Sequence, residues 1–345
     1  MSQFSHTKTL FHLPSNIVYL DGNSLGPMPL AAREHVATMM GNEWGEQMIK
    51  GWNNAGWMSL STQIGDRIAP LIGAEPGHVI MGDTLSIKVH QALAAALALN
   101  PGRKVILSDY GNFPSDLYIA QGLIKTLDRG HTLKTVAPED VSHHIDDQVA
   151  VLMLTEVDYR TGRKHDMQAL TATAHAHGVI TLWDLAHSVG ALPVDLVGSN
   201  VDFAVGCTYK YLNGGPGAPA FIYVCPAYVN KVDSSLSGWL GHAAPFDFEL
   251  DYRAAPGIER LRVGTPPVIA LKCLEKEPDR RYPSAAAVAE ELQRFLDGEA
   301  IVARPIGRGE KAVRWVRRNP ALTAALIAVL AVVVGAGVVV LRQAK

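Results

Sequence analysis

Two short apolar runs, each followed at once by polar residues, constrain this chain more than any other feature. Residues 179–183 have the composition of a buried strand that ends at Asp184, and residues 201–207 lead directly to Tyr209 and Lys210. Parallel strands place their carboxyl ends at one edge of a sheet, where ligands of open α/β folds bind. The two runs therefore predict a crevice that holds a carboxylate, a phenol and an amine.

These residue types suit pyridoxal phosphate. A lysine forms the Schiff base with the cofactor aldehyde, and a carboxylate keeps the ring nitrogen protonated so that the ring can accept electrons. Lys210 is the candidate for the first role and Asp184 for the second, with His187 one turn further along the chain. Taken singly, such a carboxylate is more often a helix cap, and such a lysine is more often on the surface. Only the combination with further motifs favours the cofactor.

The remaining pattern alternates between strands and helices, which predicts an α/β fold with a mostly parallel sheet flanked by helices. The predicted strands cover residues 19–26, 104–108, 133–136, 150–154 and 220–224. The predicted helices cover residues 29–50, 87–99 and 167–177, and another begins at FPSD, residues 113–116. After this body we expect a helical tail and one transmembrane helix.

Composition excludes several classes of protein. A formal net charge of -2 argues against a strongly basic nucleic-acid binder. The three cysteines contain no CxxC pair, and the thirteen histidines contain neither HxxxH nor HExxH, so no disulfide framework and no metal site is predicted. The first sixteen residues lack the continuous apolar segment of a signal peptide, which makes the cytoplasm the expected setting for the body.

The C-terminal region has a different character. Residues 321–341 form a run of 21 residues without a charge, long enough as a helix to cross about 30 Å of hydrocarbon. A buried core helix is the alternative, but no polar face recurs at helical spacing. Six basic residues precede this run within residues 304–320, and two follow it. The positive-inside rule then predicts a cytoplasmic body anchored to the membrane.

Six separated motifs carry a family resemblance over about the first 270 residues. They are DGNSLG at 21–26, FPSD at 113–116, WDLAHSVG at 183–190, CTYKYLNGGPG at 207–217, GWLGH at 238–242 and RVGTPP at 262–267. In order and separation they resemble those of kynureninase, a fold type I pyridoxal phosphate enzyme. The resemblance implies hydrolysis of L-kynurenine, or of 3-hydroxykynurenine, to anthranilate or 3-hydroxyanthranilate and L-alanine.

The same resemblance assigns roles to individual residues. It implies cofactor contacts from Asp184, Tyr209 and Lys210, which are also the expected catalytic residues, and from Leu85, Ser86, Phe113, Ser115, Asp116, His187, Trp239 and Thr265. It implies that Ser24 and Trp52 border the substrate. Ser86 as an ordinary helix N-cap, and Trp52 as a core residue, remain open alternatives.

Subunit organisation follows from the resemblance as well. In the family, the residues matching Trp239 and Thr265 approach the cofactor phosphate from the neighbouring subunit, so a homodimer is implied. In a monomer the same two residues would have an ordinary role in loops.

The resemblance stops near Leu271 and thereby divides the chain. Residues 1–271 form the predicted cofactor-binding domain, and residues 272–303 resemble the last helices of a bacterial serine/threonine protein kinase. Residues 304–320 form a basic linker, and residues 321–341 form the predicted membrane span. The motifs that carry kinase chemistry do not occur, so kinase activity is excluded and a chimera is predicted.

This division leaves the activity open. In the family, the small C-terminal domain supplies the arginine that binds the substrate carboxylate, and neither Arg260 nor Arg262 matches that residue. We therefore expect cofactor binding to be damaged less than turnover. The alternative function is a non-catalytic, membrane-tethered interaction protein. A cysteine desulfurase is disfavoured, because none of the three cysteines sits in a glycine-flanked loop late in the chain.

Overall fold

A twisted sheet of seven strands forms the centre of the fold. The computed structural model describes residues 7–275, which lie almost entirely within one compact unit, residues 9–287. The strands are β1 (Phe11–His12), β2 (Met28–Pro29), β3 (Val79–Met81), β4 (Val105–Asp109), β5 (Thr132–Val136), β6 (Val149–Thr155), β7 (Ile180–Asp184), β8 (Phe203–Gly206) and β9 (Phe221–Val224). Strands β1 and β2 form a separate pair, and the other seven form the central sheet. The α-helices are α1 (Leu30–Thr38), α2 (Gly51–Asn54), α3 (Leu60–Ile68), α4 (Leu85–Leu99), α5 (Pro114–Leu127), α6 (Met167–Ala176) and α7 (Val268–Leu274).

The sheet is mostly parallel, as the alternation of strands and helices predicts. Its strand order is β3-β9-β8-β7-β6-β4-β5, with parallel pairing from β8 through to β5 and antiparallel pairing of β9 with both of its neighbours. Register places Thr155 of β6 beside Asp184 of β7, and Asp184 beside Val205 of β8. Three neighbouring strands therefore deliver their last residues to one edge.

Both faces of the sheet are covered by apolar side chains, which explains why the central strands read as continuous apolar runs. Successive residues of a strand point to opposite faces, so Trp183 packs in the cluster that includes α3, and Leu182 packs in the cluster that includes α4 and α5. Every residue of β6 and β7 is buried. The polar residues at the strand ends thus stand on a rigid support.

Two predicted elements near the N-terminus differ from the observed ones. The predicted helix over residues 29–50 is divided into α1, a π-helical segment (Met39–Glu46) and a 3₁₀ turn (Met48–Lys50). Two glycines in the π-helical segment weaken the α-helix, and Met48 has a φ of 49°. Residues 19–26 contain no strand, and the turn within them is closed by backbone hydrogen bonds from Ser24 and Leu25 to the Asp21 carbonyl.

A helix runs through the predicted domain boundary. Leu271 and Leu274 of α7 are buried, and the amine of Lys272 lies 3.1 Å from a carboxylate oxygen of Glu43. Apart from residues 272–275, the predicted kinase-like segment, basic linker and membrane span lie outside the described residues. Within residues 7–275, no helix combines the length and the apolar composition needed to cross a bilayer.

Phe203 gives a test of the packing beneath the site. This β8 side chain is fully buried and stacks with Tyr228 at a centroid distance of 6.2 Å. We expect Phe203→Ala to lower the free energy of unfolding by about 3–5 kcal/mol, since it removes a large core side chain and leaves a cavity. Urea denaturation measures the change. Phe248→Ala, at a side chain that is 76% exposed, is the matched control and should change stability by about 0.5 kcal/mol or less. Equal losses in the two variants would contradict this packing.

Candidate active site

The carboxyl ends of β6, β7 and β8 bring the two principal predicted residues into one buried crevice. Asp184 is the last residue of β7, and Lys210 follows the end of β8 by four residues. Their exposed fractions are 3% and 7%. The positive charge of Lys210 opposes the rise in the pKa of Asp184, so the amine and the carboxyl group lie within electrostatic range of each other. Asp184 ends β7 and Lys210 follows β8, and these two strands are neighbours in the sheet.

Lys210 makes its closest polar contact with His187. The Lys210 Nζ and His187 Nε2 atoms are 2.6 Å apart. Burial, reinforced by the Lys210 charge and opposed by Asp158, lowers the pKa of His187 to about 4. A neutral ring accepts at Nε2 from the lysine and carries its own proton on Nδ1. That Nδ1 atom is buried and has no hydrogen-bond partner within the described part of the chain.

Asp184 is poised to receive a cation. Its Oδ1 atom accepts a hydrogen bond of 2.9 Å from the Ala186 N–H, whereas its buried Oδ2 atom has no partner among residues 7–275. Burial raises the pKa of Asp184 to about 6, although the Ala186 N–H and the Lys210 charge oppose this rise. An unpaired oxygen on a desolvated carboxyl group is energetically costly unless a donor reaches it.

A second acid, Asp116, lies in the same crevice. Burial raises its pKa well above the ordinary value, the Asp184 charge raises it further, and the Lys210 charge opposes both effects. Asp116 is in the first turn of α5, next to Ser115, and its N–H donates to the Phe113 carbonyl. Two carboxyl groups so close together in a buried site favour a state in which one of them keeps its proton.

The start of α5 is held in place by Asn112. Its Oδ1 atom accepts from the Phe113 N–H at 2.7 Å, and its Nδ2 atom donates to Ser108 Oγ at 3.0 Å on β4. The Phe113 ring thereby lies with its centroid 5.6 Å from Lys210 Nζ. Phe113 is therefore positioned to form an aromatic wall next to the amine, as the FPSD motif implies.

The turn that contains Ser24 lies against the lysine segment. The Gly26 N–H donates to the Tyr209 carbonyl at 2.8 Å. A Cβ atom on Gly26 would overlap the Lys210 carbonyl oxygen and the Asn213 side chain, so only glycine permits this approach. Ser24 itself is exposed. The DGNSLG segment thus borders the crevice and fixes the backbone on both sides of Lys210.

The first turn of α4 forms the predicted phosphate cradle. The N-cap residue Thr84 makes no side-chain hydrogen bond to this end of the helix, which leaves the N–H groups near Leu85 and Ser86 available to an anion. The preceding turn is tightly bent, with φ angles of 157° at Gly82 and 53° at Asp83. Such a turn directs the helix N-terminus toward the carboxyl edge of the sheet.

The remaining predicted residues lie around this cradle and the aromatic loops. Thr265 lines a small cleft together with Gly82 and Asp83 of its own chain. Trp52 and Trp239 contact each other at a centroid distance of 6.4 Å. Trp239 is 37% exposed, which leaves it accessible to a ligand or a second subunit. Its role from a neighbouring subunit stays a prediction, as does the substrate contact of Trp52.

Pyridoxal phosphate fits this donor set. Among residues 7–275, the Asp184 Oδ2 atom has no partner and suits a protonated ring nitrogen as acceptor, and His187 Nδ1 is a donor suited to an oxygen on the ring. The Lys210 amine contacts His187 Nε2 and lies beside the Phe113 ring. The open end of α4 provides the anion site.

Comparison with known proteins agrees with the geometry. The sequence profile described as "Aminotransferase class-V" matches residues 54–277. The kynureninase of Deinococcus radiodurans is 48% identical over 280 residues, which cover 80% of this chain and 68% of that protein. The chain belongs to the kynureninase family. The kynureninase of Burkholderia pseudomallei is 50% identical over 270 residues, 77% of this chain and 65% of that protein. The chain therefore spans about two thirds of the length of these kynureninases.

Solved structures resemble this chain closely in fold but only weakly in sequence. The cystine C-S lyase C-DES, in complex with cysteine persulfide, has a TM-score of 0.71 at 18% identity and covers 82% of this chain and 78% of its own. The apo cysteine desulfurase of Thermococcus onnurineus has a TM-score of 0.69 at 19% identity, covering 86% and 76%. At such identities the likeness shows the fold alone, which is that of fold type I pyridoxal phosphate enzymes.

The structure adds residues to the site that the motifs did not reveal. Thr155, at the end of β6, donates from Oγ1 to the Asp184 carbonyl at 3.4 Å. The Tyr159 ring packs edge to face on Phe113 at 5.1 Å and stacks on His187 at 6.1 Å between centroids. The only sequence signal for Thr155 was its position directly after the predicted strand over residues 150–154. Tyr159 lies in a turn whose approach to Phe113 depends on the tertiary fold.

The raised pKa of Asp184 leads to a prediction about stability and pH. Between the unfolded value near 3.8 and the folded value of about 6, the folded state binds the extra proton, so stability falls as pH rises and stays low above pH 6. We expect Asp184→Asn to stabilise the cofactor-free protein by about 2–3 kcal/mol at pH 7, with the gain lost near pH 4.

Urea unfolding of the cofactor-free protein at both pH values measures this effect. The exposed Asp147→Asn substitution is the control and should leave stability nearly unchanged at either pH. A destabilised Asp184→Asn protein at pH 7 would show that the carboxylate is satisfied in the folded chain.

Proposed function

We propose that this chain hydrolyses L-kynurenine, or its 3-hydroxy analogue, to anthranilate or 3-hydroxyanthranilate and L-alanine, with pyridoxal phosphate as cofactor. One observation carries the proposal: the Lys210 amine shares a buried crevice with Asp184, whose Oδ2 atom has no partner among the described residues. The relatives that are 48–50% identical to this chain are kynureninases. When bound, the cofactor supplies an electron sink that stabilises charge as bonds at the substrate α-carbon and β-carbon break.

Each residue of the crevice has a proposed task. Lys210 would hold the cofactor aldehyde through Nζ, and its free amine would move the substrate α-proton. Asp184 Oδ2 would accept a hydrogen bond from the protonated ring nitrogen and so keep that nitrogen charged. Neutral His187 orients Lys210 through the 2.6 Å contact. Burial raises the pKa of Tyr209 to about 12, so its phenol stays protonated and can donate to the phosphate.

The reaction needs water at the side-chain ketone of the substrate. Water would add to that ketone, and the bond between Cβ and the acyl carbon would then break to give the aryl carboxylic acid. The electron pair left on Cβ would take up a proton, which gives L-alanine. The exposed turn that carries Ser24 borders the crevice on the side of Tyr209, where it can order the substrate and solvent. Trp52 offers an aromatic surface for the aryl ring.

The arginines that follow the sheet are already committed to the fold. Arg260 donates to the backbone carbonyls of Asn230, Val232 and Ala255. Arg262 pairs with Glu259 at 2.8 Å and donates to the Met58 carbonyl. Neither guanidinium is free to clamp a substrate carboxylate, so we propose that this chain binds cofactor better than it turns over substrate.

Sulfur transfer is a poorer match despite the structural neighbours. Cys207 is buried, and burial raises the pKa of its thiol to about 11. Reactive cysteines need an exposed, thiolate-favouring environment, which Cys207 does not have. Kynurenine hydrolysis requires no cysteine, and the crevice residues match that chemistry.

The alternative function is that of a non-catalytic, membrane-tethered interaction protein, which needs only the folded body. The commitment of Arg260 and Arg262 to backbone carbonyls favours it. Anthranilate fluorescence during incubation with kynurenine separates the two functions. Turnover at saturating cofactor supports the enzyme, and cofactor binding without turnover supports the tethered protein.

We propose further that the body lies in the cytoplasm, forms a homodimer and is anchored through residues 321–341. The uncharged run of 21 residues and the six basic residues before it support the anchor. We expect the full chain to stay in the membrane pellet after a carbonate wash. A variant that ends at residue 320 should move to the supernatant, and equal distribution of the two proteins would contradict the anchor.

Lys210 provides the direct test of the proposed chemistry. Adding pyridoxal phosphate to the wild-type protein should produce a visible absorption band and an adduct that borohydride traps. We expect Lys210→Ala to lose the trapped adduct and to lower any turnover at least about 10²-fold, since it removes both the covalent link and the proton carrier. The exposed Lys104→Ala substitution is the control and should behave as wild type. A normal borohydride adduct in Lys210→Ala would refute the assignment.

A further inference from the structure

Lys88 is a buried charge outside the crevice. It lies on α4, three residues after Leu85, and its side chain is fully buried. Burial lowers its pKa to about 8, opposed by the nearby charge of Asp83, so the amine still carries a proton at neutral pH. A buried ammonium group persists only where hydrogen-bond acceptors compensate for lost hydration, which directs attention to its partners.

One of its partners belongs to a distant part of the chain, and the other lies on the same helix. The Lys88 Nζ atom donates to the Leu261 carbonyl at 3.1 Å and to Gln91 Oε1 at 2.9 Å. Gln91 Nε2 donates to the same Leu261 carbonyl at 3.3 Å and to Ser234 Oγ at 3.2 Å. Two side chains of α4 thus hold one carbonyl group that lies about 170 residues further along the sequence.

Lys88 also reaches the turn before α4. A Cβ atom built on Gly82 would lie 3.5 Å from Lys88 Nζ. This turn is itself fixed to β9, because the Gly82 N–H donates to the Ala220 carbonyl and the Ala220 N–H donates to the Asp83 carbonyl. The Lys88 ammonium therefore lies close to the bend that leads into the predicted phosphate cradle.

The segment beyond Leu261 carries the other predicted phosphate residues. Thr265 lines the small cleft with Gly82 and Asp83. Val263 accepts a backbone hydrogen bond of 3.2 Å from Leu240, next to Trp239, and Gly238 packs so tightly on the Val263 carbonyl that a Cβ atom would overlap it. Leu261 thus belongs to a segment that close backbone contacts hold in place.

We propose that Lys88 is a positioning residue for the cofactor phosphate, because its ammonium holds the bend before α4, and with it the open first turn of that helix, against the Leu261 carbonyl. The inference rests on the proposed function, since it requires that pyridoxal phosphate binds. Lys88 does not contact the reacting atoms. It fixes the position of the helix end that forms the phosphate cradle.

The phosphate group itself gives a selective readout. Pyridoxal has the same aldehyde and ring as pyridoxal phosphate but lacks the phosphate, so it reports on the Lys210 and Asp184 end of the site alone. The ratio of the two affinities, measured by absorbance titration with borohydride trapping, isolates the phosphate site. General destabilisation of the fold would lower both affinities and leave the ratio unchanged.

Lys88→Met keeps the length of the side chain and removes the ammonium. We expect this substitution to weaken pyridoxal phosphate about tenfold and pyridoxal by about twofold or less, so that the preference for the phosphorylated form falls. Lys125→Met, at an exposed lysine of α5, is the matched control and should keep the wild-type preference. Wild-type preference in Lys88→Met would overturn the proposal.

A second variant covers poor folding of Lys88→Met. Gln91→Met leaves the ammonium in place and removes one of the two donors to the Leu261 carbonyl, and we expect it to lower the preference about threefold. An unchanged ratio in that variant would also overturn the proposal. If the wild-type protein bound no pyridoxal phosphate, the proposed function and this inference would fail together, whereas retained binding with an insensitive ratio would refute the inference alone.

Discussion

The buried contact between an amine and its polar neighbours at the carboxyl edge of the sheet determines the rest of the site. Lys210 carries its charge into a crevice that it shares with Asp184 and Asp116, and it lies 2.6 Å from His187. Water is largely excluded, so each charge acts strongly on the pKa of its neighbours. Burying these charges costs free energy in the cofactor-free chain. A bound cofactor with a protonated ring nitrogen and a phosphate group would reduce that cost.

The surrounding structure keeps these groups in place through a few local bonds. Gly26 holds the backbone beside Lys210, Asn112 holds the start of α5, and Lys88 holds the carbonyl of Leu261. The bonds of Gly26 and Lys88 join segments that are distant in sequence. The sheet supplies the rigid base, because its central strands are buried on both faces. The residues of the site thus lie at the ends of strands and helices. Apolar packing holds those strands and helices in place.

Sequence patterns predicted the parts of the molecule that depend on local order. The strands ending at Thr155 and Asp184 were predicted because buried parallel strands read as apolar runs. The cofactor and substrate roles that the six motifs imply stay predictions. The break in the predicted helix over residues 29–50 was missed, since its cause is a short π-helical segment with two glycines. Tyr159 and Lys88 were missed because their partners lie far away in sequence. The segments beyond residue 275 remain predictions.

The most direct test of the account is the protonation state of the cofactor ring nitrogen in the bound state. Pyridoxal phosphate labelled with ¹⁵N in the ring reports that state through its NMR chemical shift. We predict a protonated nitrogen in the wild-type protein at pH 7.5 and a deprotonated one in Asp184→Asn, because Asp184 Oδ2 would be the acceptor that keeps the ring nitrogen protonated. A nitrogen with the same shift in both proteins would contradict the shared pocket on which the assignment rests.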